Sequence, residues 1–363
     1  MGQAISHRLG VPRNLRVGSE NPPRRCSAGR PSMLQAMSLS EEIIAAVAAL
    51  KRGELVAMPT ETVYGLAADA RNSQAIARIF ATKNRPPDHP LIVHLADARE
   101  LDQWAIDIPA AARVLADQFW PGPLTLILRR SPAVPDSITG GQDSIGLRVP
   151  AHPIAHELIS RFGSALAAPS ANRFGRISPT TAAHVRAEFG NAVKYVLDGG
   201  ASILGLESTI IDMTCALPRM LRPGSITQSQ IEAWIGPLAK PGDGRVLRAS
   251  GGLAAHYAPG KPLLLVRPED IKSLQASAHN LVWLAHGSLP GDAPGIALGS
   301  DAENYGRELY AALRLLDAHP AGAIAVVIPP PGEAWTAIHD RLNRAAAGSG
   351  AQLEDDPELG RPE

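Results

Sequence analysis

Apolar residues along this chain switch between two spacings, and the switches outline a fold. Ile43, Val47 and Leu50 recur at helical spacing behind Ser40, Glu41 and Glu42, which offer a cap and first-turn acids, and Gly53 offers a stop. An apolar run at 55–58 predicts a strand. A polar stretch read as a loop follows. A second helix is then capped near Asn72 or Ser73, with Ile76, Ile79 and Phe80 on its apolar face. Compact apolar runs at 91–95, 124–128, 144–149, 165–168, 195–197 and 209–213 predict strands, and 153–162 and 181–189 predict helices. That alternation defines an α/β domain.

Residues 237–262 lose all periodicity and are rich in glycine, proline and basic side chains, which marks a linker. A second α/β pattern follows, with strands at 263–266, 281–284 and 323–328, a helical stripe of Tyr305, Leu309, Leu313 and Leu316, and a last helix at 334–346. The expected organisation is a tail at 1–37, a main α/β domain at 38–236, the linker at 237–262, a smaller Rossmann-like α/β domain at 263–347 and a frayed tail at 348–363.

Composition narrows the function classes. Of the 363 residues, 35 are Lys or Arg and 35 are Asp or Glu, so the chain is neutral and is not a bulk polyanion binder. Cys26 and Cys215 make no metal-ligand or disulfide pattern, which fits a reducing cytoplasm. No apolar run is long enough to span a bilayer. The first 37 residues carry six arginines against the single acid Glu20 and have no apolar signal core. They read as a disordered tail or an over-long gene start, with Met33 or Met37 as the real beginning. A transit peptide, or myristoylation at Gly2 with Ser6, are the alternatives.

Five clusters could carry chemistry. PTETVYGL, residues 59–66, crowds Thr60, Thr62 and Tyr64 into the turn after a strand, where open α/β sheets bind ligands; a hydroxyl-capped turn is the plainer reading. KNRPPDHPLIVH, residues 83–94, puts Lys83 on the inward face of a helix end. A buried cation needs an anion, so Lys83 and Arg85 suggest a phosphate or carboxylate site, unless Lys83 snorkels past the helix end. His94 closes a buried strand. In GLRVP, residues 146–150, preceded by Ser144, alternation sets Arg148 on the face opposite Leu147 and Val149, where it can fork onto a carboxylate or meet solvent. APSANRFGRISPTT, residues 168–181, joins small residues to Ser170 and Asn172. LESTIID, residues 206–212, and LRPGSIT, residues 221–227, bring Ser208 and Arg222 to adjacent strand ends. No GxSxG elbow, Walker A sequence or GxGxxG turn is present, so a nucleotide site here is not of a common kind.

Taken in order, these motifs, with WPGPLTLIL at residues 120–128, resemble the YrdC family from about residue 39 to 235. ASGGLAAHYAPGKPLLLV at residues 249–266 and the remainder resemble the linker and C-terminal domain of its long, two-domain threonylcarbamoyl-AMP synthases. The resemblance implies a YrdC-like twisted sheet with a deep basic cavity. It also implies a reaction in which L-threonine, bicarbonate and ATP give threonylcarbamoyl-AMP, pyrophosphate and water for tRNA modification. It carries nucleotide contacts to Lys83, Arg85, His89, Ser144, Ala168, Ser170, Asn172, Arg222 and the linker's Tyr257, which is expected to close over the site. Threonine contacts fall on Thr60 or Thr62, His94, Arg148 and Ser208. Many relatives have Asn where this chain has His89, and either side chain can bond a ligand. Magnesium is expected on the ATP phosphates rather than in a protein cage, and the tRNA threonylcarbamoyl transferase complex is an expected partner, with tRNA contact weak or indirect. A hydrogenase-maturation carbamoyltransferase would need zinc-finger cysteines that the two present cannot supply, and an RNA-binding module is at odds with zero net charge.

Overall fold

The first helix, Leu39–Lys51, starts two residues earlier than Ser40 suggests. Ser38 is its cap: the Ser38 hydroxyl accepts the Glu41 amide while the Glu41 carboxylate accepts the Ser38 amide at 2.8 Å, closing a capping box that Ser40 has no partner to form. Its buried stripe is Ile43, Ala46, Ala49 and Leu50. The computed structural model describes residues 38–240, 247–248, 251–278 and 280–350, so the tail at 1–37 and most of that at 348–363 lie outside the described residues.

Among the described residues thirteen strands form two sheets: β1 (Val56–Met58), β2 (Gly65–Asp69), β3 (Ile92–His94), β4 (Leu124–Arg129), β5 (Ser144–Arg148), β6 (Leu166–Ala167), β7 (Tyr195–Val196), β8 (Thr209–Asp212), β9 (Arg219–Arg222), β10 (Leu263–Val266), β11 (Leu281–His286), β12 (Gly295–Leu298) and β13 (Ala323–Val327). The first nine make one mixed sheet in the order β7-β1-β2-β6-β3-β5-β4-β8-β9. The rest make a parallel sheet in the order β10-β13-β11-β12. Part of the stretch read as a loop is strand β2, which returns antiparallel along β1 with Met58 opposite Gly65. Its GLAAD sequence has no β-branched or aromatic residue, so pairing rather than propensity makes the strand.

Strand alternation sorts the large sheet into two faces. Leu66, Val93, Leu126, Leu128, Ile145, Leu147 and Ile211 share the main core with the helices Ser73–Lys83 and Ala110–Phe119, the second of which the apolar pattern does not announce. On the other face, Val56, Met58, Ala67 and Leu166 pack with the helices Leu39–Lys51 and Pro153–Phe162. Further along that second face, β3, β4 and β8 carry only a small cluster of Ile92, Ile127 and Ile210, closed by Leu221 and Leu247. Ser144, Gly146 and Arg148 on β5 and His94 on β3 share this thinly covered face. The pairing of β3 with β5 sets His94 directly beside Arg148.

The helices Ala302–Ala318 and Thr336–Gly348 cover one face of the parallel sheet. Their apolar cluster also takes in Val63, Ile177 and Leu206 from the half that carries the large sheet, and Tyr257. Glycine makes the approach possible at one point. Gly205 has φ +73°, and a side chain there would collide with the backbone of Arg307.

Candidate active site

A cavity opens on the thinly covered face. Its wall includes Thr60, Arg85, His94, Arg148, Ala168, Ser170, Ser208, Arg222 and Tyr257, nine of the positions singled out in the sequence. Arg148 is held from below. Its Nη2 donates to Glu61 Oε1 at 2.6 Å, Nη1 to the Thr62 hydroxyl at 3.0 Å and Nε to the Gly122 carbonyl at 3.1 Å. A guanidinium has five N–H groups, so one remains on each terminal nitrogen. Thr60 accepts the amides of Thr62 and Val63 and donates to the Val63 carbonyl, which shapes the turn after β1. Across the cavity, Arg222 donates to both the carbonyl and the hydroxyl of Ser208 at 3.0 Å, and Thr125 shares a 2.8 Å hydrogen bond with the same hydroxyl.

The expected basic pair divides. Arg85 lies on the wall, donates from Nη2 to the Pro90 carbonyl at 3.0 Å, and has a buried Nε with no partner. Burial lowers its pKa to about 10, which leaves it charged at neutral pH. Lys83 is fully buried one layer behind the wall, so it does not snorkel. Its ammonium donates to the Ser170 carbonyl at 2.6 Å and to the Asn172 carbonyl, stapling the turn after β6 to the helix end. Burial, then the charge of Arg85, pushes its pKa well down. Asn172 also stands behind the wall, donating to the carbonyls of Arg173 and Arg176 at 2.8 Å. Thr62 is occupied by Arg148, and His89 packs edge-on against Phe174. Ser144 starts the strand that Arg148 ends, so it reaches a separate surface pocket with Asp143, Thr214 and Cys215.

Sequence reasoning missed Val63, Gly65, Ile92, Pro169, Glu207, Gly251 and His256 on the same wall. His256 is the neighbour of Tyr257 in HYAP and was readable from that motif. Glu207 was not, because two of its partners come from the C-terminal domain. Tyr257 itself is buried at φ +61°, stacked on Tyr310 at 5.7 Å, with an unpartnered hydroxyl against Gly251. Unpartnered buried atoms therefore gather at this wall: Arg85 Nε, His94 Nδ1, His256 Nδ1 and the Tyr257 hydroxyl. Buried polar atoms are normally bonded, so such a gathering marks a place for a polar ligand.

Both histidines are neutral. Burial and then Arg148 lower His94 to about 3. Burial lowers His256 to about 3 as well, with Lys83, Arg85 and Arg222 assisting and Glu207 opposing. Above pH 6.5 neither folded nor unfolded chain protonates these rings. Below it the unfolded chain takes up protons that the folded chain refuses. Stability is therefore expected to fall from pH 6.5 towards 3, by up to about 1.4 kcal/mol per pH unit for each ring. Urea midpoints at pH 7.5 and 5.5 measure this, and His94→Gln should shallow the slope. Equal midpoints would mean that the folded protein protonates both rings.

Three arginines, small-residue walls and hydroxyl groups define a small-molecule site for anionic ligands on a mixed α/β sheet. Residues 48–224 match the Sua5, YciO and YrdC family model, described as telomere recombination, and residues 226–347 match the threonylcarbamoyl-AMP synthase C-terminal domain. The threonylcarbamoyl-AMP synthase of Pyrococcus abyssi is 38% identical over 312 residues, 82% of this chain and 92% of its own. That of Bacillus subtilis is 38% identical over 327 residues, 85% and 93% of the two chains. The crystal structure of P. abyssi Sua5 complexed with L-threonine superposes with a TM-score of 0.78 at 37% identity, covering 87% of this chain and 96% of that one. The chain belongs to the Sua5/YrdC family, in its two-domain form.

Proposed function

We propose that this protein is a threonylcarbamoyl-AMP synthase: L-threonine, bicarbonate and ATP become threonylcarbamoyl-AMP, pyrophosphate and water, for modification of tRNA. The observation that carries the reading is the convergence of Arg85, Arg148 and Arg222 on one cavity in a chain of zero net charge. Arg148, His94, Thr60 and Ser208 hold threonine, with the carboxylate on the two remaining N–H groups of Arg148. Its free amine attacks carbon dioxide or bicarbonate to give a carbamate. A carbamate oxygen then attacks the α-phosphorus of ATP and pyrophosphate leaves. Arg85 and Arg222 offset the phosphate charge, Ala168 and Ser170 let the nucleotide approach the backbone, and Lys83, Asn172 and Thr62 act by holding those groups. His89 and Ser144 lie where only the outer parts of a nucleotide reach.

No protein nucleophile is required, and positioning with charge neutralisation suffices for such a transfer. Residues 237–262 are the linker, and its Tyr257 excludes water from the carbamate. Magnesium enters with ATP as part of the substrate, riding on the phosphates with waters; Glu207, the carboxylate on the cavity wall, is engaged by Ser178 and Arg341. No helix of the described residues is long and apolar enough to cross a membrane. A cytoplasmic enzyme delivering its labile product to the tRNA-modifying transferase fits this chemistry.

Pyrophosphate release is expected to need threonine and bicarbonate together. Omitting each in turn, and replacing threonine by serine or glycine, tests it. Equal turnover without threonine would leave an ATPase in place of the synthase.

A further inference from the structure

Glu207 is a carboxylate on the cavity wall whose charge is balanced from another domain. Its Oε2 accepts from Arg341 Nε at 2.8 Å and from the Tyr310 hydroxyl at 3.0 Å, and its Oε1 accepts from the Ser178 hydroxyl at 2.6 Å. Tyr310 and Arg341 stand on the two C-terminal-domain helices that face the first domain. Both are fully buried, and Arg341 also donates to Asp340 at 2.6 Å. Burial pushes the Glu207 pKa up, but Arg341, Arg222 and the Ser178 hydrogen bond outweigh it and bring it to about 2. The loop that carries Glu207 is gripped on its other side as well. Gly205 lies against the Arg307 backbone, and the Leu206 side chain packs on Gly306. The next residue is Ser208, whose hydroxyl and carbonyl meet Arg222 inside the cavity.

We propose that Glu207 is a positioning residue through which Arg341 and Tyr310 of the C-terminal domain set Ser208 for threonine; this rests on the synthase reading above. The chain of contact is short: C-terminal guanidinium and phenol, Glu207 carboxylate, one peptide unit, Ser208. Removing one partner of a buried ion pair strands the other charge, which then seeks new partners and drags its backbone along. Glu207 without Arg341 would turn towards Arg222, a cation on the same wall whose charge already acts on it, and draw it from Ser208. The C-terminal domain is thus part of the amino-acid subsite without touching the amino acid.

The test is steady-state kinetics of the full-length protein with threonine and ATP varied separately. Arg341→Met should raise the KM for threonine at least tenfold and that for ATP less than twofold. Tyr310→Phe, which loses one hydrogen bond and keeps the packing, should raise the threonine KM about threefold. Glu207→Gln combined with Arg341→Met removes both charges and should recover most of the loss, which general damage to the interface would not. Should Arg341→Met fail to fold, Tyr310→Phe and the double variant decide the matter. Wild-type threonine KM in the folded variants, or equal rises in both KM values, overturns the inference while leaving the synthase reading intact. A wild-type enzyme that releases pyrophosphate without threonine removes the synthase reading and this inference with it.

Discussion

Replacing Arg148 by methionine is expected to lower threonine-dependent pyrophosphate release by more than a hundredfold and to destabilise the fold at the same time. The two losses have different origins. The first comes from the two N–H groups left on the terminal nitrogens of Arg148, a residue that lines the cavity; a charge-assisted hydrogen bond contributes about 1.5–3 kcal/mol, so losing two exceeds a factor of one hundred. The second comes from beneath, where Glu61 is 3% exposed and holds Arg148 at 2.6 Å. Stranding a buried carboxylate costs about 3–5 kcal/mol. Glu61→Gln combined with Arg148→Met should therefore restore most of the urea midpoint and none of the activity. If the double variant regains both, Arg148 is a structural ion-pair partner and the threonine carboxylate binds elsewhere.

The second large effect is a split between Lys83 and Arg85, which the sequence alone assigns to one role. Arg85 presents an unpartnered nitrogen on the cavity wall, so Arg85→Met should raise the KM for ATP about ten- to a hundredfold with the unfolding midpoint nearly unchanged. Lys83 spends its ammonium on the carbonyls of Ser170 and Asn172. Lys83→Met leaves the buried Asn172 carbonyl without this donor, at about 1–3 kcal/mol, loses the half-buried bond to the Ser170 carbonyl as well, and frees the turn that carries Ser170. It should cut ATP use as strongly as the Arg85 variant does and lower the midpoint as well. A Lys83 variant with normal stability and a raised ATP KM would instead put the ammonium on the phosphates, its contact with the two carbonyls being exchanged when nucleotide binds.

What was legible in the sequence follows from how far each partner lies. Arg148 and His94 stood out because a charged or titratable residue interrupts an apolar strand, and alternation alone assigns its face. Lys83 stood out as an inward cation, yet nothing in its neighbourhood says that its partners are carbonyls 87 and 89 residues away. Glu207 was silent for the same reason, since Tyr310 and Arg341 follow it by 103 and 134 residues. Among the elements, β2 was hidden because glycine and alanine pack well in a central strand without favouring one. The edge strand β12, GIAL, was hidden because it is short and half exposed. The helix Gln228–Ile235 has a clear capping box at Thr227 and Gln230, but Ile231 is its one buried residue, so apolar periodicity had little to report.

The apolar cluster that joins Val63, Ile177, Leu206 and Tyr257 to the C-terminal helices has a consequence for modularity. Two folded bodies on a tether could be exchanged, shuffled or expressed apart. Here separating the two halves would bare an oily patch on each piece and take from Glu207 its Tyr310 and Arg341 partners. The described residues from 38 onward accordingly form a single compact unit. The two halves are matched parts: a side chain at Gly205 would meet the Arg307 backbone itself, so no exchange of side chains on the C-terminal half makes room for one.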